Sequence, residues 1–159
     1  MGDDHQIAQL NIARPRAPLD RPVMAEFMAN LERINALGDA SPGFVWRLQD
    51  EDGNATGLEQ PFGPEIIVNL TVWRDLASLR AFVYRGAHVS FLRRRAEWFV
   101  KLAGPSTVLW WVAAGHVPTL AEAKERLDRL AAGGSTPEAF TFGSPFDAGG
   151  LPMRAALAG

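Results

Sequence analysis

EIIVNLTVWRDLASLRAFVYRGAHVSFLRRRAEWF, Glu65 to Phe99, is the stretch on which the fold turns. Its first nine residues alternate. Ile66, Val68, Leu70 and Val72 point one way and Ile67, Asn69, Thr71 and Trp73 the other, which is the period of a strand. Asp75 then stands where a helix N-cap belongs, and an apolar helical pattern runs on until Gly86 interrupts it. If the next helix is continued from Gly86 to Leu102, Phe91, Leu92, Arg95, Phe99 and Leu102 share one stripe with His88. His88 and Arg95 are thereby expected on a buried face, where polar groups need partners. Ser90, Arg93 and Glu97 fall on the solvent side, where Arg93 and Glu97, four apart, can pair.

The flanking sequence supplies the other elements. Residues Gln6 to Ala13 alternate, with Ala8, Leu10 and Ile12 on one face and Ile7, Gln9 and Asn11 on the other. After RPRAPLD, Asp20 is placed to cap a helix with Pro22 in its first turn, the stripe Val23, Phe27, Leu31 and Ile34, and a stop near Gly38. FVWRLQ, Phe44 to Gln49, reads as a short strand before the polar loop DEDGNATGLEQPFGP. TVLWWVAA, Thr107 to Ala114, reads as a buried strand, and Thr119 caps a last helix carrying Leu120, Ala123, Leu127 and Leu130, stopped by Gly133-Gly134. AFTF, Ala139 to Phe142, can add an edge strand. A single domain is expected over residues 1–143 and a flexible Gly, Pro and Ala-rich tail over 144–159.

The order β-α-β-β-α-β followed by an extra helix is the ferredoxin-like arrangement, an α+β fold with one antiparallel sheet and helices on one face. The face away from those helices is expected to carry Gln9, Asn11, Asn69 and Thr71 and to lack a cover of its own. A second copy can supply it, so a homodimer with a cavity between sheet and lid is expected.

Composition narrows the function. The 159 residues are 47% hydrophobic and 21% charged, as in a soluble globular domain. A net charge of -2, with the basic run Arg93-Arg94-Arg95 split between helix faces, argues against a nucleic-acid partner. The absence of cysteine removes disulfides, thiolate metal sites and a cysteine nucleophile. MGDDHQIAQL is neither a secretory signal nor a membrane span, so a cytoplasmic location is expected. Asp50, Glu51 and Asp52 lack the spacing of a calcium loop, and no phosphate-binding Gly motif or nucleophile elbow occurs.

The runs AQLNIAR (Ala8–Arg14), SPGFVWRLQ (Ser41–Gln49), VNLTVW (Val68–Trp73), FVYRGAHVSFLRRRAEWF (Phe82–Phe99), LWWVAAGHVPTLAEAKERL (Leu109–Leu127) and TPEAFTF (Thr136–Phe142) resemble the DUF3291 family, a bacterial family of undefined function, over nearly the whole chain. The resemblance implies the dimeric α+β barrel fold shared with antibiotic-biosynthesis monooxygenases, haem-degrading monooxygenases, muconolactone isomerases and stress-responsive barrel proteins. It also implies an apolar or aromatic small-molecule ligand inside the barrel. In the haem-degrading branch an Asn on the first strand, a Trp, and a His on the second helix make the site. Asn11 and His88 resemble the first and last, but the Trp position ten before His88 holds Ser78.

Each candidate residue has a chemical reading and a plainer one. His88 suits a general base near neutral pH or an axial haem ligand, or a core histidine bonded to its neighbours. Asn11 and Asn69, with Gln9 and Thr71, can orient a ligand carbonyl and stabilise an enolate, or bond across strands in an interface. Arg95 offers a planar fork to a carboxylate or pairs with an acidic side chain. Trp73 and Trp110 are expected as cavity walls, and of Trp110 and Trp111 one must face the helices and the other the barrel. The leading expectation is a homodimeric enzyme acting on an apolar, aromatic or polyketide-like small molecule by monooxygenase- or isomerase-like acid/base chemistry. His88, Asn11 and Asn69 would be catalytic in it, with no cofactor required. The alternatives are a haem-binding protein with His88 as axial ligand and a non-catalytic ligand-binding or stress-related protein.

Overall fold

This computed structural model describes residues 4–49, 60–63, 65–84 and 88–154, without the side chains of 88–92. The alternation at Gln6–Ala13 belongs to β1, His5–Pro15, and the strand inside the opening stretch is β3, Ile67–Trp73. Between them lie α1, Ala25–Asp39, and β2, Phe44–Arg47. After β3 come α2, Leu76–Tyr84, α3, His88–Trp98, the two-residue β4, Phe99–Val100, then β5, Thr107–Ala113, and α4, Leu120–Gly133. The sheet runs β2-β3-β1-β5 with every neighbour antiparallel, and β4 joins the end of β1. This is the ferredoxin-like α+β topology. No helix among the described residues is long and apolar enough to cross a membrane.

Two of the three expected helix starts hold. Asp75 Oδ1 accepts from Ser78 N at 2.8 Å, and Thr119 Oγ1 accepts from Glu122 N at 3.1 Å. Asp20 does not cap. Pro22–Met24 instead form a 3-10 turn that leads into α1 without a side-chain cap. Gly43 (φ +85°) makes the entry to β2, where its carbonyl accepts from Arg74 N at 2.7 Å and a Cβ would lie 2.2 Å from Ser78 Oγ.

The helix expected to reach Leu102 stops at Trp98. Phe99 and Val100 pair with Pro15 and Arg14, and Arg16 N donates to Trp98 O at 2.7 Å. Continuing the helical count through Phe99 and Leu102 therefore set the stripe out of phase. Among the described side chains of α3 the buried one is Trp98, and Arg95 is exposed rather than central to an apolar face. The ion pairing also differs. Arg94, not Arg93, binds Glu97 and Glu26 and lies 4.7 Å over the Trp98 ring.

The sheet is covered on both faces by this one chain. Ile7, Trp73 and Leu109 pack with Leu76, Leu79 and Val83 of α2, and Ile67 packs with Phe27 of α1 and Trp98. Ala8, Leu10, Leu70, Val108 and Trp110 face the other way, against Ala123, Leu127 and Leu130 of α4, and none is more than 1% exposed. The expectation of an uncovered face is thus corrected, and with it the ground on which a second copy was needed. The extra helix supplies the cover, because its apolar stripe has no other surface to bury. Residues 144–154, expected in a flexible tail, close a turn in which Asp147 accepts from Gly149 N and Leu151 N and Pro145 is fully buried.

Glu122 ties α4 to β5 and the loop after it. Its carboxylate accepts from Trp110 Nε1 at 2.8 Å and meets His116 Nε2 at 2.7 Å. Burial pushes its pKa up, but the hydrogen bonds from His116 and Trp110 outweigh this and hold it below the usual 4.5. A lowered carboxylate contributes stability above its unfolded pKa and loses it as pH falls through the folded one. Glu122→Ala leaves the buried indole N–H without its partner and is expected to cost about 1–3 kcal/mol at pH 7. Urea unfolding at pH 7 and again below pH 4 checks this, the gap between wild type and variant narrowing on the acid side.

Candidate functional site

The register of β1 against β3 places Gln9 opposite Thr71 and Asn11 opposite Asn69, all on the face that also carries Trp73. Alternation then directs these side chains toward α1 and α2, not away from the helices as expected. Between this face and α1, α2 and α3 lies a cavity of about 860 Å³. Gln9, Asn11, Asn69 and Thr71 form a polar strip on its floor, while Phe27, Ile34, Phe82, Val83, Trp98 and Phe99 give it apolar walls. Its size and lining are those of a small-molecule site.

The floor is internally wired. The Trp73 indole N–H donates to Thr71 Oγ1 at 3.0 Å, and Thr71 Oγ1 donates to Gln9 Oε1 at 3.0 Å. An indole nitrogen only donates, so the Thr71 hydroxyl accepts there and has its proton left for Gln9. That fixes the Gln9 amide with oxygen toward Thr71 and its NH2 on the other side, where it has no partner among the described residues. Trp73 anchors the chain of bonds: it is 1% exposed, stacks on Phe82 with ring centres 5.2 Å apart, and takes the edge of Phe44 at 5.5 Å. Asn11 Oδ1 accepts from Thr107 Oγ1 at 3.3 Å, leaving a second amide nitrogen unpartnered in the strip. Asn69 is exposed to the opening.

Of the other expected site residues, Arg95 is exposed but lines the cavity mouth. Trp110 is no wall. It lies on the opposite face of the sheet, bonded to Glu122, while its neighbour Trp111 turns toward Phe140 and donates to Phe146 O. His88 begins α3, and its side chain lies outside the described residues. The haem alternative depends on that same side chain, and among the described residues no group of three or more His, Asp or Glu could hold a metal ion.

Three lining residues were not expected. Arg47, opposite Thr71 on β2, holds Asp39 through two bonds, Nε to Oδ1 at 2.7 Å and Nη2 to Oδ2 at 3.2 Å, so its mostly buried charge is balanced. Arg16 and Lys101 stand at the mouth with Arg95. Nothing in the local sequence of Arg16 or Lys101 marks them, because it is the β1–β4 pairing that sets the segments carrying them along one cavity.

The model of a family described as "Domain of unknown function (DUF3291)" matches residues 6–155. No curated protein is significantly similar to the chain. Among solved structures, the chain is similar to the NE2512 protein of unknown function from Nitrosomonas europaea, at 15% identity and TM-score 0.45 over 74% of this chain and 98% of that one. It is similar to SnoaB, a cofactor-independent oxygenase from Streptomyces nogalater, at 17% identity and TM-score 0.43 over 74% and 97%. A dabb family protein with a ferredoxin-like fold from Mesorhizobium loti is 13% identical, at TM-score 0.42 over 72% and 98%.

Proposed function

The chain belongs to the DUF3291 family, whose description assigns no reaction, and from the cavity itself we propose that it binds a ring-bearing carbonyl compound and catalyses proton abstraction next to the carbonyl. The observation that carries this reading is the fixed Gln9 amide, presenting N–H to the cavity with Thr71 and Trp73 locked behind it. A base removes the proton from the carbon beside the carbonyl, the C–H electron pair moves onto the oxygen, and the amide N–H groups of Gln9 and Asn11 stabilise the resulting enolate. Their orientation is set before the ligand arrives, so little reorganisation opposes them. Where a C=C is conjugated with the enolate, the dienolate takes a proton at its far carbon and the double bond shifts, an isomerisation; otherwise the enolate reacts with O2 so that CH2 becomes C=O and water leaves, a monooxygenation.

His88 is the residue assigned as base, on the sequence reading of a histidine on the helix over the cavity. Asn69, at the opening, orients the ligand as it enters. A homodimer is a separate proposal, resting on the family resemblance.

The test uses 2-tetralone, a bicyclic ketone whose CH2 groups beside the carbonyl exchange with solvent. In D2O the protein is expected to accelerate that exchange, read by proton NMR, and Gln9→Leu is expected to reduce the acceleration about 100-fold, as loss of one oxyanion donor does. His88→Ala is expected to abolish it. Bound 2-tetralone that exchanges no faster than in buffer contradicts the acid/base chemistry and favours a binding protein.

A further inference from the structure

Among the described residues, the charges that line this cavity have one sign. Its charged lining among the described residues is Arg16, Arg47, Arg95 and Lys101, with no Asp or Glu. Arg47 is balanced by Asp39, whereas the other three have no ion-pair partner among the described residues. On α3 the acid Glu97 is taken by Arg94, which also holds Glu26, so Arg95 has no ion-pair partner among the described residues. Lys101 has none among them either, and among the described residues the side chain of Arg16 donates from Nε to the Ala96 carbonyl at 2.7 Å. That bond, with Arg16 N on Trp98 O, fastens Arg16 to the same helix end that carries Arg95 and leads through β4 to Lys101. A chain with net charge -2 thus sets three exposed cations without an ion-pair partner among the described residues around the lining of one cavity. Cations beside low-dielectric walls attract anions more strongly than the same cations on open surface.

Resting on the cavity reading above, we infer that the ligand is an amphiphilic anion: an apolar ring body that enters toward the Gln9 strip, and a carboxylate or similarly charged group held at the mouth by Arg95, Lys101 and Arg16. Arginine forks bind carboxylates through two parallel bonds, and the lysine adds a point charge. The anionic group fixes which end of the body reaches the floor. The mouth therefore selects orientation as well as charge.

The probes are 8-anilinonaphthalene-1-sulfonate and N-phenyl-1-naphthylamine, which share one ring body and differ by the sulfonate. Each is titrated into the full chain and followed by dye fluorescence. The sulfonate is expected to bind about tenfold tighter, with an advantage that shrinks as salt rises. The double variant Arg95→Glu/Lys101→Glu is expected to lose that advantage while the neutral dye binds within twofold of wild type, which also shows that the variant is folded. Arg16 is left in place because it closes the end of α3. Equal affinity for the two dyes, or sulfonate binding unchanged in the double variant, overturns the anionic ligand while leaving the cavity reading standing. Failure of both dyes to bind overturns the two together.

Discussion

Trp73→Ala is expected to lower the unfolding free energy by about 3–5 kcal/mol, the cost of truncating a fully buried aromatic side chain in a close-packed site. Trp73 joins β3 to α2: its ring stacks on Phe82 and meets the edge of Phe44, and its cluster includes Leu76, Leu79 and Val83. Little can relax into the space. The main strand hydrogen bonds hold β3 in place, and Gly43, which cannot accept a Cβ against Ser78, fixes the approach of α2. Trp73→Phe keeps most of the ring and removes only the N–H to Thr71, so about 1 kcal/mol is expected from the lost bond, plus a small packing term. Urea unfolding followed by far-UV circular dichroism separates the two variants, and a loss below about 1 kcal/mol for Trp73→Ala contradicts the burial described.

The second large effect is at Thr71. Thr71→Val keeps nearly the same volume but leaves the Trp73 N–H and the Gln9 carbonyl both buried without a hydroxyl between them. Two orphaned polar groups are expected to cost about 2–4 kcal/mol. Gln9 also loses its orienting partner and can rotate its amide, so 2-tetralone exchange is expected to fall nearly as far as in Gln9→Leu. Thr71→Ser keeps the hydroxyl and is expected to retain most of both stability and exchange. A merely structural threonine would instead show a stability loss in Thr71→Val with exchange intact in the folded fraction.

The alternation of β1 and β3 was readable from the residues, and so was the set Gln9, Asn11, Asn69, Thr71 and Trp73 that shares one face. Which helices lie over that face was not. A period of two says which side chains travel together and is silent on which layer meets them. The stripe of α4 announced a buried helix, but Leu120, Ala123, Leu127 and Leu130 do not say which surface they cover, and so the sheet face was expected to need a second copy. Arg95 was misplaced for a different reason. The helical count ran through Phe99 and Leu102, although Phe99 pairs in a strand, and a phase drawn from non-helical residues moved the stripe. Neither the Trp73–Thr71–Gln9 chain of bonds nor the cationic mouth is local in sequence. The first needs the β1–β3 register and the second the β1–β4 pairing, both set by tertiary structure.

The central claim is that the space between the sheet and α1, α2 and α3 is a ligand site organised by the Gln9 amide. A crystal structure with 2-tetralone bound tests it most directly. The ring is expected between Phe82 and Phe27, with its carbonyl oxygen within about 3.2 Å of Gln9 Nε2 and the Thr71 bond to Gln9 Oε1 unbroken. A ligand bound elsewhere on the chain, or one inside the cavity with its oxygen turned away from Gln9, contradicts it.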